Sequence, residues 1–154
     1  MVETGTQPRE TEPIARECVE GYLYAATPLT LLLFRRPPSR GSIWVPVSGK
    51  VDPGDRGLED ALRRELVEET GLTDAGPVLP LDWHVTFRAD NGELWRLHAY
   101  AARVPPGFTP RLSGEHDAFE WVSPTEAIAR LHYPDNRDAV RRLLEKLGLP
   151  SPND

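Results

Sequence analysis

"GKVDPGDRGLEDALRRELVEETGL", Gly49 to Leu72, sets three glutamates, Glu65, Glu68 and Glu69, within five residues and closes on a glycine. Helical periodicity runs from Leu58 to Thr70, and Gly71 stands where a left-handed stop belongs. On a wheel of ~100° per residue with Glu65 at zero, Glu69 lies ~40° to one side and Glu68 ~60° to the other. Leu58, Leu62 and Leu66 fall at roughly 20°, 60° and 100° on the same wheel, so core stripe and carboxylates overlap. Asp60, Arg63 and Thr70 are placed on the far side. A solvated acidic face would therefore have to coincide with the face that buries three leucines. Glu65 and Glu69 are also like charges one turn apart, which repel. Carboxylates so crowded and partly buried either take up protons or hold a cation. Ligands that are all oxygen suit a hard divalent ion, Mg²⁺ or Mn²⁺. Arg64, four residues before Glu68, is placed to orient it by a helical ion pair. Ahead of the helix, Gly49, Gly54 and Gly57 with Pro53 make a tight loop whose amides can approach an anion, and Lys50 adds positive charge. Alone, that glycine loop would be no more than a turn.

Working outward, the chain has 154 residues, 39% of them hydrophobic, which fits one domain with its own core. The net charge of −6 argues against a broad basic face for nucleic acid, and no stable nucleic-acid partner is expected. One cysteine, Cys18, cannot form an internal disulfide and reads as a small buried residue. The polar start, "MVETGTQPRETEPIARE", resembles neither a signal nor a transit peptide, and "YLYAATPLTLLLF" is too short to span a bilayer. A reducing cytoplasm and no membrane partner follow as expectations.

Residues 1–13 read as a loose tail with nothing to bury, and residues 14–150 as a single domain. "ECVEGYLYAA" and "LTLLLFRR" are β-rich runs, and "IWVPVSG" resumes extended structure after the loop "RPPSRGS". "VLPLDWHVTFRA" and "ELWRLHAYAARV" flank Asp90-Asn91-Gly92, a hairpin signal. A long loop, "VPPGFTPRLSGEHDA", precedes the short strand "FEWV". Ser123 and Glu126 form a capping box, and Asn136 to Leu147 read as a last helix. The pattern gives a mixed sheet with one central helix and C-terminal helices, an α/β (α+β) domain.

Taken together, Gly49 and "RELVEETGL", Arg64 to Leu72, resemble the Nudix box, G-x5-E-x7-R-E-U-x-E-E-x-G-U with U aliphatic. Two departures stand out. Asp55 holds the place of a glutamate, and eight residues instead of seven separate it from Arg64. Glu59, Asp60 and Ala61 fall where the family opens its helix with "EEA", so the extra residue is expected at Arg56-Gly57. The resemblance implies an α/β/α sandwich around a mixed sheet, and hydrolysis of a nucleoside diphosphate linked to another group. It implies catalysis by Arg64, Glu65, Glu68 and Glu69, the three glutamates holding Mg²⁺ or Mn²⁺ against a pyrophosphate.

Family members often recruit a further carboxylate from outside the box. Glu115 in "SGEHDAFEWV" is the candidate, both catalytic and as a metal ligand, with His116 and Asp117 as rivals. That stretch and Asn136-Arg137 are also similar, more weakly, to segments of bacterial dihydroneopterin triphosphate and dATP pyrophosphohydrolases. Substrate phosphates are assigned to Arg35, Arg36, Lys50 and Gly49, with one of the two arginines facing solvent because strand neighbours alternate. Tyr133, like Trp44 and Trp83, is placed to stack on a base, although such aromatics more often belong to the core. His84 and His98 alternate with apolar residues and read as structural. Readings left open are a dinucleoside polyphosphate or ADP-ribose as substrate, reached by the basic loop "RRPPSRGS", and a non-catalytic nucleotide sensor. Homodimers are frequent in the family.

Overall fold

The computed structural model describes residues 12–152. Its centre is β1 (Arg16–Ala25), a strand buried along most of its length. The other strands are β2 (Thr30–Arg35), β3 (Trp44–Val45), β4 (Val47–Lys50), β5 (Val78–Arg88), β6 (Leu94–Arg103) and β7 (Ala118–Val122). β1 runs parallel to β6 and antiparallel to both β2 and β4; β7 and β3 pair with β2, and β5 with β6. The result is one seven-stranded mixed sheet.

Alternation along β1 sorts the core into two layers. Val19 and Leu23 face α1 (Leu58–Thr70), packing with Ala61, Leu62 and Leu66. Tyr22 and Tyr24 face the opposite side, where α2 (Pro124–Arg130) and α3 (Pro134–Lys146) bring Ala127, Ile128, Ala139, Val140 and Leu143. This is the expected α/β/α sandwich. Helix α1 sits close to the sheet at Gly21, where a Cβ would come within 2.8 Å of Leu62 Cδ1.

The local signals hold at most element ends. Helix α1 begins at Leu58 and stops at Gly71, whose φ of 76° lets its amide reach back to Leu66 and Val67 carbonyls. The hairpin turns at Asn91-Gly92, with Gly92 at φ 89° and the Asn91 side chain accepting from the Glu93 amide. Ser123 Oγ accepts from the Glu126 amide at the start of α2. The final helix opens earlier than expected, at Pro134, since proline needs no amide partner in the first turn. Thr70 corrects the helical wheel. It is 1% exposed, because the loop after β6 crosses α1's end, with the Arg111 amide donating to the Thr70 carbonyl at 2.8 Å.

Cys18 is buried, and burial pushes its thiol up to about 11, far from nucleophilic use. His98 bonds Glu17 at 2.8 Å, as a structural histidine would. The expected tail lies outside the described residues up to residue 11; Glu12 already pairs with Arg88. Among the described residues no helix is long and apolar enough to cross a membrane.

Candidate active site

Helix α1 and the end of β4 build the site. Glu65 and Glu69, one turn apart, are 8% and 6% exposed, on the side of the helix that also carries Leu62 and Leu66. The Glu65 carboxylate lies directly over Gly49, where a Cβ would stand 2.0 Å from Oε2 and 2.1 Å from Cδ. No other amino acid leaves room for that carboxylate, which is the physical reason for a glycine there. Glu68, ~60° round the helix from Glu65, is exposed.

Arg64 organises the acidic groups. Its Nε and Nη2 grip both oxygens of Asp55 at 3.0 Å, and Nη1 reaches Glu65 at 3.1 Å and Glu68 at 3.2 Å. Nη2 also donates to the Lys50 carbonyl at 2.9 Å, tying helix to strand. The Asp55 bonds hold the guanidinium well above its ordinary pKa, and the same contacts pull the Asp55 carboxyl down. Asp55 therefore has a role in spite of its shorter side chain: a forked anchor for Arg64. Gly57, at φ 155°, ends the loop and hands the chain to α1, so the longer connection leaves the helix in register.

Electrostatically the pair Glu65–Glu69 is unfinished. Burial, then the charges of Glu65 and Glu115, push Glu69 up to about 8; burial also raises Glu65, opposed by Arg64. Two adjacent buried carboxylates with too little positive charge hold a proton unless a cation replaces it. The donors that α1 supplies are carboxylate oxygens, the chemistry of a hard divalent ion. Among the described residues no three such side chains converge into a ready cage in this conformation. Glu68 is turned to Arg64 and Glu115 to Arg40, at 3.2 Å and 3.0 Å. In both pairs the glutamate is exposed, and such surface ion pairs are cheap to exchange.

The loop before β7 closes the other side. Asp117 fastens it to β2: its amide donates to the Arg35 carbonyl, and its carboxylate accepts from Arg35 Nε, both at 2.9 Å. His116 is thereby turned inward, 7% exposed, its ring 5.2 Å from that of Phe34. Its Nδ1 stands 3.5 Å from Glu69 Oε1. Arg36 lies over the exposed ring of Tyr133 at 5.9 Å, so those two expected substrate residues are neighbours. Arg35 is held by Asp117 and lies near Trp44. Lys50 points to the opposite face from the glutamates, 5.0 Å above Trp95. Trp83 packs beneath Arg142 on the α3 side.

A family model of the NUDIX domain matches residues 16–147. The chain belongs to the Nudix family. Its Nudix box is the Gly49–Leu72 segment just described. The chain is 35% identical over 107 residues to the CTP pyrophosphohydrolase of Escherichia coli K12, covering 68% of this chain and 72% of that protein. It is 38% identical over 115 residues to an octanoyltransferase of Myxococcus xanthus, covering 73% of this chain but 31% of that much longer relative. Among solved structures, a C. elegans Ap4A hydrolase in a binary complex superposes with a TM-score of 0.73 at 23% identity, covering 87% of this chain and 98% of the other. The E. coli dihydroneopterin triphosphate pyrophosphohydrolase gives 0.73 at 18% identity, covering 87% and 99%. These two likenesses establish the Nudix fold.

Two features, one in this Nudix site and one across the sheet from it, escaped the sequence reading. The forked Asp55–Arg64 pair carries only a weak sequence signal, an acid at the box's glutamate position. Asn136, matched to a short subfamily segment, is buried on the α3 side, where its amide donates to Tyr22 at 3.1 Å and Glu20 at 3.4 Å. Burial pushes Glu20 up to about 7. Alternation along β1 puts Glu20 on the face of Tyr22, but nothing local announces that Asn136 covers it there.

Proposed function

We propose that the chain is a divalent-metal-dependent pyrophosphohydrolase that cleaves a phosphoanhydride bond of a nucleoside triphosphate or a related nucleoside diphosphate derivative. The observation that carries the reading is the buried Glu65–Glu69 pair, Glu65 lying over Gly49, a carboxylate site short of positive charge. Glu65, Glu68 and Glu69, joined by Glu115 from the β7 loop, would hold Mg²⁺, or Mn²⁺ in its place. A bound divalent ion would supply charge neutralisation of the pyrophosphate and activation of a water. Arg64, anchored by Asp55, holds Glu65 in place, while Glu68 would leave its ion pair with Arg64 to reach the ion. Arg36 and Tyr133 offer a charge and an aromatic face to phosphate and base, with Arg35 and the close backbone at Gly49 as the remaining assigned contacts; Lys50, turned to the other face over Trp95, is not among them. The domain is assigned to residues 14–150 and to the cytoplasm.

A small nucleotide triphosphate is favoured because a relative named a CTP pyrophosphohydrolase is 35% identical, against 31% for two similarly covered relatives named bis(5'-nucleosyl)-tetraphosphatase. A dinucleoside polyphosphate is the second reading, supported by Arg40 at the rim of the site beside Glu115, where it would meet a longer polyphosphate. A non-catalytic sensor is disfavoured by the intact set Arg64, Glu65, Glu68 and Glu69. The test is a panel of CTP and other nucleoside triphosphates, dihydroneopterin triphosphate, ADP-ribose and diadenosine polyphosphates with Mg²⁺, products identified by phosphorus NMR. Turnover of a triphosphate supports the first reading. Binding without turnover of any member would overturn it.

A further inference from the structure

His116 is the one histidine of the chain placed against the acidic helix, and its environment is unusual for a loop residue. The loop is pinned at Asp117 by two bonds to Arg35, which leaves the preceding side chain nowhere to go but inward. Nδ1 is fully buried and has no hydrogen-bond partner within normal distance. A buried polar atom left unpaired is costly, and native structures rarely tolerate it without a purpose. The atom nearest in charge is Glu69 Oε1, at 3.5 Å. A closer approach of about 0.5 Å would make an ordinary hydrogen bond.

We infer that His116 is a positioning residue for Glu69, its Nδ1–H donating to Oε1 and fixing the orientation in which this carboxylate meets a divalent cation. The inference rests on the metal reading proposed above. Its logic is that of an outer-sphere donor: a ligating carboxylate with one oxygen held presents the other in a single direction. The rest of the ring supplies the rigidity. It lies against Phe34 in the α1 layer of the core, so the imidazole cannot swing without opening that layer. Glu115, by contrast, is exposed and paired with Arg40, free to leave that partner. One short loop thus offers two different things, a fixed donor and a mobile carboxylate.

Two substitutions separate donation from packing. His116→Asn can place an amide N–H near the Nδ1 position, whereas His116→Phe keeps a ring on Phe34 and removes the donor. Mn²⁺ affinity is measured without substrate by electron paramagnetic resonance, with thermal melts confirming the fold. His116→Phe is expected to weaken Mn²⁺ binding about 10- to 100-fold, the range for loss of an outer-sphere partner, with His116→Asn within about threefold of wild type. Wild-type affinity in His116→Phe, or an equal loss in His116→Asn, would overturn the inference. A measurement on the unaltered protein serves if a variant does not fold: nitrogen NMR with saturating Mg²⁺ should find the imidazole proton on Nδ1, and an unprotonated Nδ1 refutes the assignment. Glu69→Gln is the control on the underlying reading. If it too leaves Mn²⁺ affinity unchanged, the metal site itself is wrong; if only His116→Phe is silent, the positioning role alone fails.

Discussion

Gly49→Ala is the sharpest steric probe of the site, since it adds one methyl group and nothing else. The new Cβ would stand 2.0 Å from Glu65 Oε2, 2.1 Å from Cδ and 2.6 Å from Oε1, where ordinary contact begins at 3.4 Å. The carboxylate must therefore retreat by at least about 1.4 Å, and its bond from Arg64 at 3.1 Å goes with it. Gly49 lies in β4 with no positive φ, so alanine brings no backbone strain of its own. A misplacement of about 1 Å at a reacting centre costs on the order of 100-fold in rate. Gly49→Ala should then lower kcat/KM by about 100-fold, or about 2.7 kcal/mol of transition-state stabilisation. The assay is steady-state hydrolysis of the best substrate in Mg²⁺, beside a thermal melt. Stability should change little, because moving Glu65 outward also relieves a buried charge. Full activity in Gly49→Ala would show that the Glu65 position does not matter, and would refute the reasoning.

Other expected outcomes test separate parts. Asp55 is held below the ordinary carboxylate range by Arg64, so its contribution to stability is present at neutral pH and lost as pH falls through that lowered value. Asp55→Asn should accordingly lower the melting temperature at pH 7 but not in strong acid; a pH-independent difference contradicts the pairing. Glu20 behaves oppositely: raised to about 7 by burial, it favours the protonated fold, and stability falls as pH climbs from about 4.5 through 7. Glu20→Gln should gain on wild type in urea denaturation at pH 8.5 relative to pH 5, and no gain would argue against a buried carboxyl. Leu62→Ala, cutting the contact of α1 with Gly21, should cost about 2–5 kcal/mol in urea unfolding. A smaller loss would mean that the helix is not fixed to the sheet there.

What the sequence could and could not reveal follows from the range of the forces involved. Helix α1 was legible because its period, its glycine stop and the overlap of leucines with glutamates are all local. The hairpin at Asn91-Gly92 and the Ser123 cap were legible for the same reason. Thr70 was misplaced because a loop far along the chain covers it, and no wheel contains that loop. Asp55 departs from the box in length and spacing, and its role is visible only in three dimensions: the longer loop still delivers the carboxylate to both prongs of Arg64. His116 stood in the sequence only as a rival to Glu115. Its inward orientation depends on Asp117 meeting Arg35 across 82 positions, which local pattern does not encode.

The central claim is that Glu69 works with Glu65 as part of a divalent-metal site that hydrolyses a pyrophosphate. The most direct measurement is single-turnover hydrolysis of the preferred substrate by Glu69→Gln in Mg²⁺, with phosphorus NMR following the products. Glutamine keeps the volume and removes the charge. Partners outside a metal's first coordination sphere already cost about 10- to 100-fold, so loss of a direct ligand should lower the rate by at least about 100-fold while the fold melts normally. Wild-type turnover by Glu69→Gln would contradict the account.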